Sequence, residues 1–418
     1  MPLHATSRFR LLALGLGLVA ACHAPAGRAG ESAGDEFSIR GFGTLGMARS
    51  TNGEAQFTRD LSQPHGAGTS WSPRIDSSLG VQANWLASPS IELVGQALSK
   101  YHADGSFAPQ LSLGFAKWSP DARTQIRAGR IGADFLMFAD SRSIGYSYLP
   151  VRPPVEYFGQ LFFSAMDGAD ISLSFPLESQ VLQAKLFAGR LHEQAPSALG
   201  MWDTSGSKIA GIILSTQMDA LQLRGSVTNL RFSHNHDLAG FDQTLRQIGT
   251  AYGYDTAITA ANALGTKGTN STYYSAGFVY DDGPLLLQAM FNYIRHQTNL
   301  FQNSTAAYFL AGYRVHSLTP YLGYSQVHSN RRYSSSGLPD TAAFAAVNEA
   351  YESVIASSTL QQHTFTTGLR WDLQRNLALK LQWDAVRGKP RSRFLVSHPS
   401  ASWNGKTDVF SVTLDFLF

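Results

Sequence analysis

The chain has 418 residues, with 33 Lys and Arg against 30 Asp and Glu, and only 15% of its residues are charged. One cysteine leaves no disulfide framework and no thiolate metal site, and near-balanced charge gives no basic excess for nucleic acid. Mean hydropathy is slightly negative and no apolar run reaches a membrane helix, yet charge is sparse and aromatics reach 11%, the profile of a protein that crosses a membrane with half-wet strands.

Arg8 and Arg10 precede the apolar run Leu11 to Ala21, too short to span a bilayer and suited to the core of an export signal. Ala24-Pro25-Ala26 offers a cleavage site, predicting a signal peptide over 1–26, a mature start near Gly27 and a short segment over 27–36. Val19-Ala20-Ala21-Cys22 is a competing lipobox that would instead put a lipid on Cys22. Under the first reading the mature chain keeps 31 basic residues against 30 acidic, and no cysteine.

Phe37–Ser50 opens a series of period-2 segments. Seven pairs then share a short turn: Ile75–Ala87 with Ile91–His102, Gln110–Trp118 with Arg123–Ile131, Asp167–Phe175 with Gln180–Arg190, and Lys208–Gln217 with Leu221–Phe232. Ser271–Tyr280 with Leu285–Gln297, Ala306–His316 with Tyr321–Asn330, and Gln361–Asp372 with Leu377–Val386 follow. Lys406–Phe418 makes sixteen. Short turns alternate with long Gly/Ser/Asn/Pro-rich loops throughout, which predicts an all-β, sixteen-stranded antiparallel transmembrane β-barrel with periplasmic turns and extracellular loops. Within the loops, 238–264 and 341–355 have helix-compatible composition.

Strand faces can be phased. Leu285, Leu287, Ala289, Phe291 and Tyr293 share a side against Gln288, Asn292 and His296; Phe365, Leu369, Trp371 and Leu373 oppose Arg370 and Asp372; Leu379, Leu381 and Trp383 oppose Lys380, Gln382 and Asp384. Trp85, Trp118, Trp371 and Trp383 fall near strand ends, as in an interfacial belt. The lumen side then carries Arg40, Arg123, Arg127, Lys185, Arg224, Arg314, Arg370 and Lys380 against Asp76, Glu92, Asp372, Asp384 and Asp415. In the last strand Phe410, Val412, Leu414, Phe416 and Phe418 share one face and Ser411, Thr413 and Asp415 the other.

Three weaker signals point elsewhere. Gly41-Phe-Gly-Thr-Leu-Gly46 matches the dinucleotide-binding spacing, but that site needs a following helix, whereas these glycines lie inside a strand at a crowded wall. His234-Asn-His-Asp237 has the composition of a metal site and equally that of a solvated loop. Asn270-Ser-Thr272 and Asn303-Ser-Thr305 are sequons without meaning in a bacterial outer membrane. The twelve His make no recognisable nucleophile arrangement, so no enzymatic activity, cofactor or metal is expected.

Phe37-Ser-Ile-Arg-Gly-Phe-Gly-Thr-Leu-Gly46, Ile75-Asp-Ser-Ser-Leu-Gly-Val-Gln82, Arg127-Ala-Gly-Arg130, Ala139-Asp-Ser-Arg142, Asp167-Gly168 and the terminal Phe418 appear in an order that resembles the Gram-negative general porin superfamily, over about 37–418. The resemblance implies an outer-membrane channel that passes small hydrophilic solutes and ions, the alternatives being a substrate-selective channel of the same architecture, an outer-membrane barrel enzyme or a plugged structural barrel. It implies a homotrimer in outer-membrane lipid, with Phe418 read by the barrel-assembly machinery. It also implies that the third long loop, about 132–165, folds inward and narrows the pore, with Arg123, Arg127, Asp134, Asp140, Arg142 and Glu156 as constriction residues. Glu156-Tyr157-Phe158-Gly159 resembles that loop's tip with one additional aromatic, after the proline-rich Leu149–Pro154. Acidic loop residues opposite a basic wall are expected to set up a transverse field.

Overall fold

The computed structural model describes residues 36–197, 200–330, 334–389, 396–397, 400 and 402–418. The segment read as an export signal, Cys22 included, lies outside them. Sixteen strands form one sheet: β1 (Phe37–Ser50), β2 (Ser78–Ser88), β3 (Ile91–Lys100), β4 (Gln110–Trp118), β5 (Thr124–Gly132), β6 (Ala165–Leu177), β7 (Gln180–Arg190) and β8 (Lys208–Met218). Then come β9 (Leu221–Arg231), β10 (Asn270–Asp282), β11 (Leu285–His296), β12 (Asn303–Tyr313), β13 (Leu318–Asn330), β14 (Gln361–Gln374), β15 (Leu377–Gly388) and β16 (Lys406–Leu417). Each is antiparallel to its sequence neighbours, and β1 also pairs with β16, from Phe42 opposite Leu417 to Ser50 opposite Val409. The barrel is closed, so no strand edge is left to satisfy.

The period-2 pattern is what makes this a membrane wall. Along β16, Ser411, Thr413 and Asp415 are buried inward while Phe410 faces outward at 44% exposure. Leu186, Leu214, Leu322, Phe291 and Trp371 are likewise exposed large apolar side chains on the outer surface. In a soluble protein such a surface would be a liability; against hydrocarbon it is the stable arrangement. Turns on one end are two to five residues long, and long segments occupy the other. Helices at Phe241–Tyr252, Asp255–Ala263 and Ala345–Ala356 pack on each other in that long-loop end through Leu245, Ala261, Leu264, Tyr351 and Ile355.

The glycines of the first strand have a local reason. A Cβ on Gly41 would lie 2.1 Å from the Phe418 ring, and one on Gly43 would lie 2.4 Å from the Phe416 ring. The two rings stack at 6.1 Å over this bare stretch of β1, where the sheet closes. Two backbone bonds, Gly41 N–H to Phe418 O at 2.7 Å and Phe418 N–H to Gly41 O at 2.9 Å, complete the seam. Gly46 backs onto Asp76, where a Cβ would come within 2.7 Å. The glycine spacing therefore serves close packing, and no helix follows it. Strand ends shift by a few residues from the sequence reading. Ile75 and Asp76, expected in β2, precede it and are buried beneath the third long loop.

Candidate functional site: the lumen and its in-folded loop

Toward the short turns the inner wall is polar. Gln96 donates to Gln82 (2.8 Å), Gln82 to Asn84 (2.9 Å) and Asn84 to Glu92 (2.9 Å), and Lys117 pairs with Glu92. This network spans β2, β3 and β4 without a bulky apolar side chain, as an aqueous half-lumen requires.

Residues 133–164 leave β5 and cross the interior. Their composition explains why: Phe135, Leu136, Met137, Leu161 and Phe163 are each no more than 2% exposed, packed with wall residues Phe187, Tyr273 and Tyr308. Phe135 meets Tyr273 edge-on at 5.3 Å, and Tyr157 meets Tyr308 at 5.3 Å. Burying several aromatics, each contributing roughly 1.5–3 kcal/mol, drives the loop onto the wall. A single helical turn, Val155–Phe158, is buried along its whole length.

Charges then fix the loop's register. Arg152, with a side chain 1% exposed, donates Nε to Asp76 Oδ1 (2.9 Å) and Nη2 to Asp76 Oδ2 (2.6 Å). Its Nη1 donates to Asp384 Oδ2 (2.8 Å), and Nη2 also reaches Ser411 Oγ (2.5 Å). The guanidinium lies 5.0 Å from the Phe57 ring centre. A buried cation between two carboxylates is stable only when its donors are matched, and a planar fork matches them here. Glu156, 1% exposed, accepts from Ser325 Oγ (2.6 Å), Gln362 Nε2 (2.7 Å) and the Thr364 hydroxyl. Lys380 on β15 donates to the carbonyls of Gly145 (2.7 Å) and Tyr148 (2.6 Å) and pairs with Asp415 (2.9 Å), which also accepts from Thr44 (2.5 Å). The loop is thereby tied to β13, β14, β15 and β16.

At the loop's root, Asp134 lies 2.6 Å from Lys185, 3.7 Å from Arg224 and 4.0 Å from Arg127. Burial pushes the Asp134 carboxyl up, and Lys185 and Arg224 more than offset this, holding it below the ordinary carboxylate range. Arg127 forms a forked pair with Asp170 on β6, at 2.5 Å for Nη2, above the Phe115 ring. Three cations thus face two carboxylates at contact distance, rather than across open water.

The structure brings Arg127 and Asp134 together. Arg142 is buried and donates to the carbonyls of Leu161 (3.0 Å) and Phe163, joining the loop's two limbs. Glu156 holds the tip. Asp140 is exposed, and Arg123 lies in the turn before β5, exposed, its N–H bonded to Asp121 (2.7 Å). Arg123 therefore stands at the short-turn end, away from the loop, because β5 begins at Thr124 and the Asp121 turn claims its backbone. The main anchor, Arg152, was not singled out from sequence. Its signal was a cation set among prolines in an apolar stretch, Leu149-Pro-Val-Arg-Pro-Pro154.

A chamber of about 350 Å³ is lined by Lys100, His102, Gln110, Arg130, Asp167 and His192 together with apolar Leu98, Leu111, Phe162, Met166 and Met201. It sits where the β4–β5 ladder stops at Gly114 opposite Arg130, although β4 continues to Gln110. Among the described residues no group of three His, Cys, Asp or Glu is arranged to hold a metal ion. His234 lies 4.0 Å from Asp203, and His236 packs on Trp202.

No family model matches this chain, and no curated protein does. Solved structures do. An OmpF of Salmonella typhi, in complex with daunomycin, is 12% identical over 91% of this chain and 97% of its own, with a TM-score of 0.55. An anion-selective porin from Comamonas acidovorans is 12% identical over 92% and 100%, with a TM-score of 0.52. The outer-membrane protein OmpT of Vibrio cholerae is 12% identical over 92% and 99%, with a TM-score of 0.51. At such identity the likeness is one of fold: this chain has the sixteen-stranded barrel of porins.

Proposed function

We propose that this protein is an outer-membrane channel through which small hydrophilic solutes and ions diffuse passively. The observation that carries the proposal is a closed sixteen-stranded wall, apolar outside and polar inside, crossed by one loop that buried charges hold in place. A folded, purified protein should give discrete conductance steps in planar bilayers, and a folded preparation that gives none would overturn the reading.

One observation favours a second reading, a substrate-selective channel. The loop meets the wall through a buried aromatic core, so its side chains take up part of the lumen. Liposome swelling with a panel of sugars, amino acids and anions separates the two, since selectivity saturates and a general pore shows only a size cut-off. We assign no catalytic role. Ser271 Oγ does lie 2.6 Å from His296 Nδ1, but Ser271 is 0% exposed and its hydroxyl is not presented to a substrate.

A further inference from the structure

The register of five neighbouring strands places a row of charges at the long-loop rim of the barrel's outer face. Arg130 on β5 stands opposite Asp167 on β6, and Asp167 opposite Arg190 on β7. Arg190 stands opposite Lys208 on β8, and Lys208 opposite Arg231 on β9. Alternation along each strand puts these side chains on the same side as the outward Leu186, Ile212 and Val227. Ten residues of β7 separate Arg190 from Gln180 at the short turn. In a strand tilted as barrel strands are, that is a height of roughly 25 Å, the full height of an outer apolar band. The row therefore lies where hydrocarbon gives way to headgroups.

The charges in this row do not neutralise one another. Asp167 accepts from Arg130 Nε at 2.8 Å and lies 2.5 Å from His192 Nε2, so its oxygens are engaged away from Arg190. Among the described residues, no carboxylate pairs with Arg190, Lys208 or Arg231, and all three are exposed. Directly opposed cross-strand side chains stand about 5 Å apart at Cβ, where like charges repel. Two such like-charged pairs in succession are a cost that only an anion relieves. The clustering is one-sided: the same rim carries Asn270 on β10, Asn303 on β12 and Asn330 on β13, and Arg295 on β11 faces Thr272.

We propose that Arg190, Lys208 and Arg231 form a docking site for the phosphorylated headgroup of a lipid in the surrounding leaflet. Position selects the occupant, because what lies against this rim of a membrane barrel is a lipid headgroup. Chemistry selects the phosphate: two guanidinium forks and an ammonium between them supply donors for several phosphate oxygens. One step below the cations, Ala128, Ala169, Ala188 and Ala210 lie opposite one another and exposed, a smooth strip against which an acyl chain can lie. The site is independent of the channel reading: a barrel that conducts but holds no such lipid refutes only the site, and the reverse result refutes only the channel.

The test is native mass spectrometry of the folded full-length protein in neutral detergent, titrated with dioleoyl phosphatidic acid or dioleoyl phosphatidylcholine. Heat-modifiable gel migration confirms the folding of each variant. Phosphatidic acid should bind saturably and at least about tenfold tighter than phosphatidylcholine, whose quaternary ammonium offsets its phosphate. The triple variant Arg190→Gln, Lys208→Gln, Arg231→Gln should weaken phosphatidic acid about a hundredfold, at about fivefold per cation near a membrane surface. Should it not fold, Lys208→Gln alone, at the middle of the row, should cost about fivefold. Arg314→Gln, at the short-turn end, should change nothing. Equimolar inorganic phosphate should not displace the lipid. Equal binding of the two lipids, unchanged affinity in a folded variant, an equal loss in Arg314→Gln, or displacement by inorganic phosphate would each overturn the proposal.

Discussion

Removing Arg152 is the sharpest test of how the in-folded loop is held. Its guanidinium reaches Asp76, Asp384 and Ser411, with side-chain exposures of 1% for Arg152 and Asp76 and 5% for Asp384. Arg152→Ala leaves two buried carboxylates facing each other without a cation, a loss of about 3–5 kcal/mol. The sixteen ladders are untouched, and Glu156 and Lys380 still hold the loop with charge-assisted bonds of about 1.5–3 kcal/mol each. The loop should therefore loosen while the barrel stays closed. At about 1.4 kcal/mol per tenfold, local opening should become at least 100-fold more frequent. Thermolysin cleavage within 133–164 of the folded protein reads this directly, and conductance should become larger and noisier. The triple variant Arg152→Met, Asp76→Asn, Asp384→Asn should recover much of the protection, because it removes the charges together. Cleavage of Arg152→Ala at the wild-type rate, in a barrel still heat-modifiable, would refute the reasoning.

Three further outcomes are expected. Arg127→Ala removes one of three cations facing Asp134 and Asp170, so the reversal potential across a salt gradient should move toward cations; an unchanged value would place Arg127 off the conduction path, since charges beyond a Debye length of roughly 8–10 Å are screened. Phe418→Ser should lower outer-membrane levels sharply while changing the stability of refolded barrel by no more than about 1.5 kcal/mol, because the ring is 62% exposed and its stack on Phe416 is a single aromatic pair; normal membrane levels would remove it as an assembly signal. A homotrimer should migrate as such on unheated gels of native membranes, and crosslinking that yields only monomer would count against it.

Strands were legible because their signal is repeated and local. Phe410, Val412 and Leu414 point outward for the same reason as Leu285, Leu287 and Phe291: alternation follows from backbone geometry alone, and turns such as Asp282-Gly283, with Gly283 at a φ of 54°, end it cleanly. Site residues obey no period. Asp76, Asp384 and Asp415 could be placed on the inner wall, and Lys380 meets Asp415 across the neighbouring strands β15 and β16, yet Arg152, which joins Asp76 to Asp384, comes from a loop that no strand period locates. Asp134 of the loop does face basic wall residues, Lys185, Arg224 and Arg127, but the loop's apolar packing was not read from the sequence. Phe135-Leu-Met-Phe138 and Leu161-Phe-Phe163 are too apolar for a solvated loop, and that was the available clue.

The same two runs connect stability to function. An in-folded loop crossing a water-filled barrel must bury its backbone without a sheet to satisfy it. Here apolar side chains supply the driving force, while Arg142, Glu156, Arg152 and Lys380 satisfy carbonyls or orient the turn. The charges add geometry more than net stability, because each gave up its own hydration to be buried. That division predicts a specific asymmetry. Trimming an aromatic, as in Phe135→Ala, should cost about 3–5 kcal/mol and lower the loop's protection against protease with little change in charge selectivity. Neutralising Asp134, which faces Lys185, Arg224 and Arg127, should do the opposite, strengthening anion preference in a loop that stays protected. If Asp134→Asn instead exposed the loop to cleavage as strongly as Phe135→Ala, its root would be held by charge and not by packing.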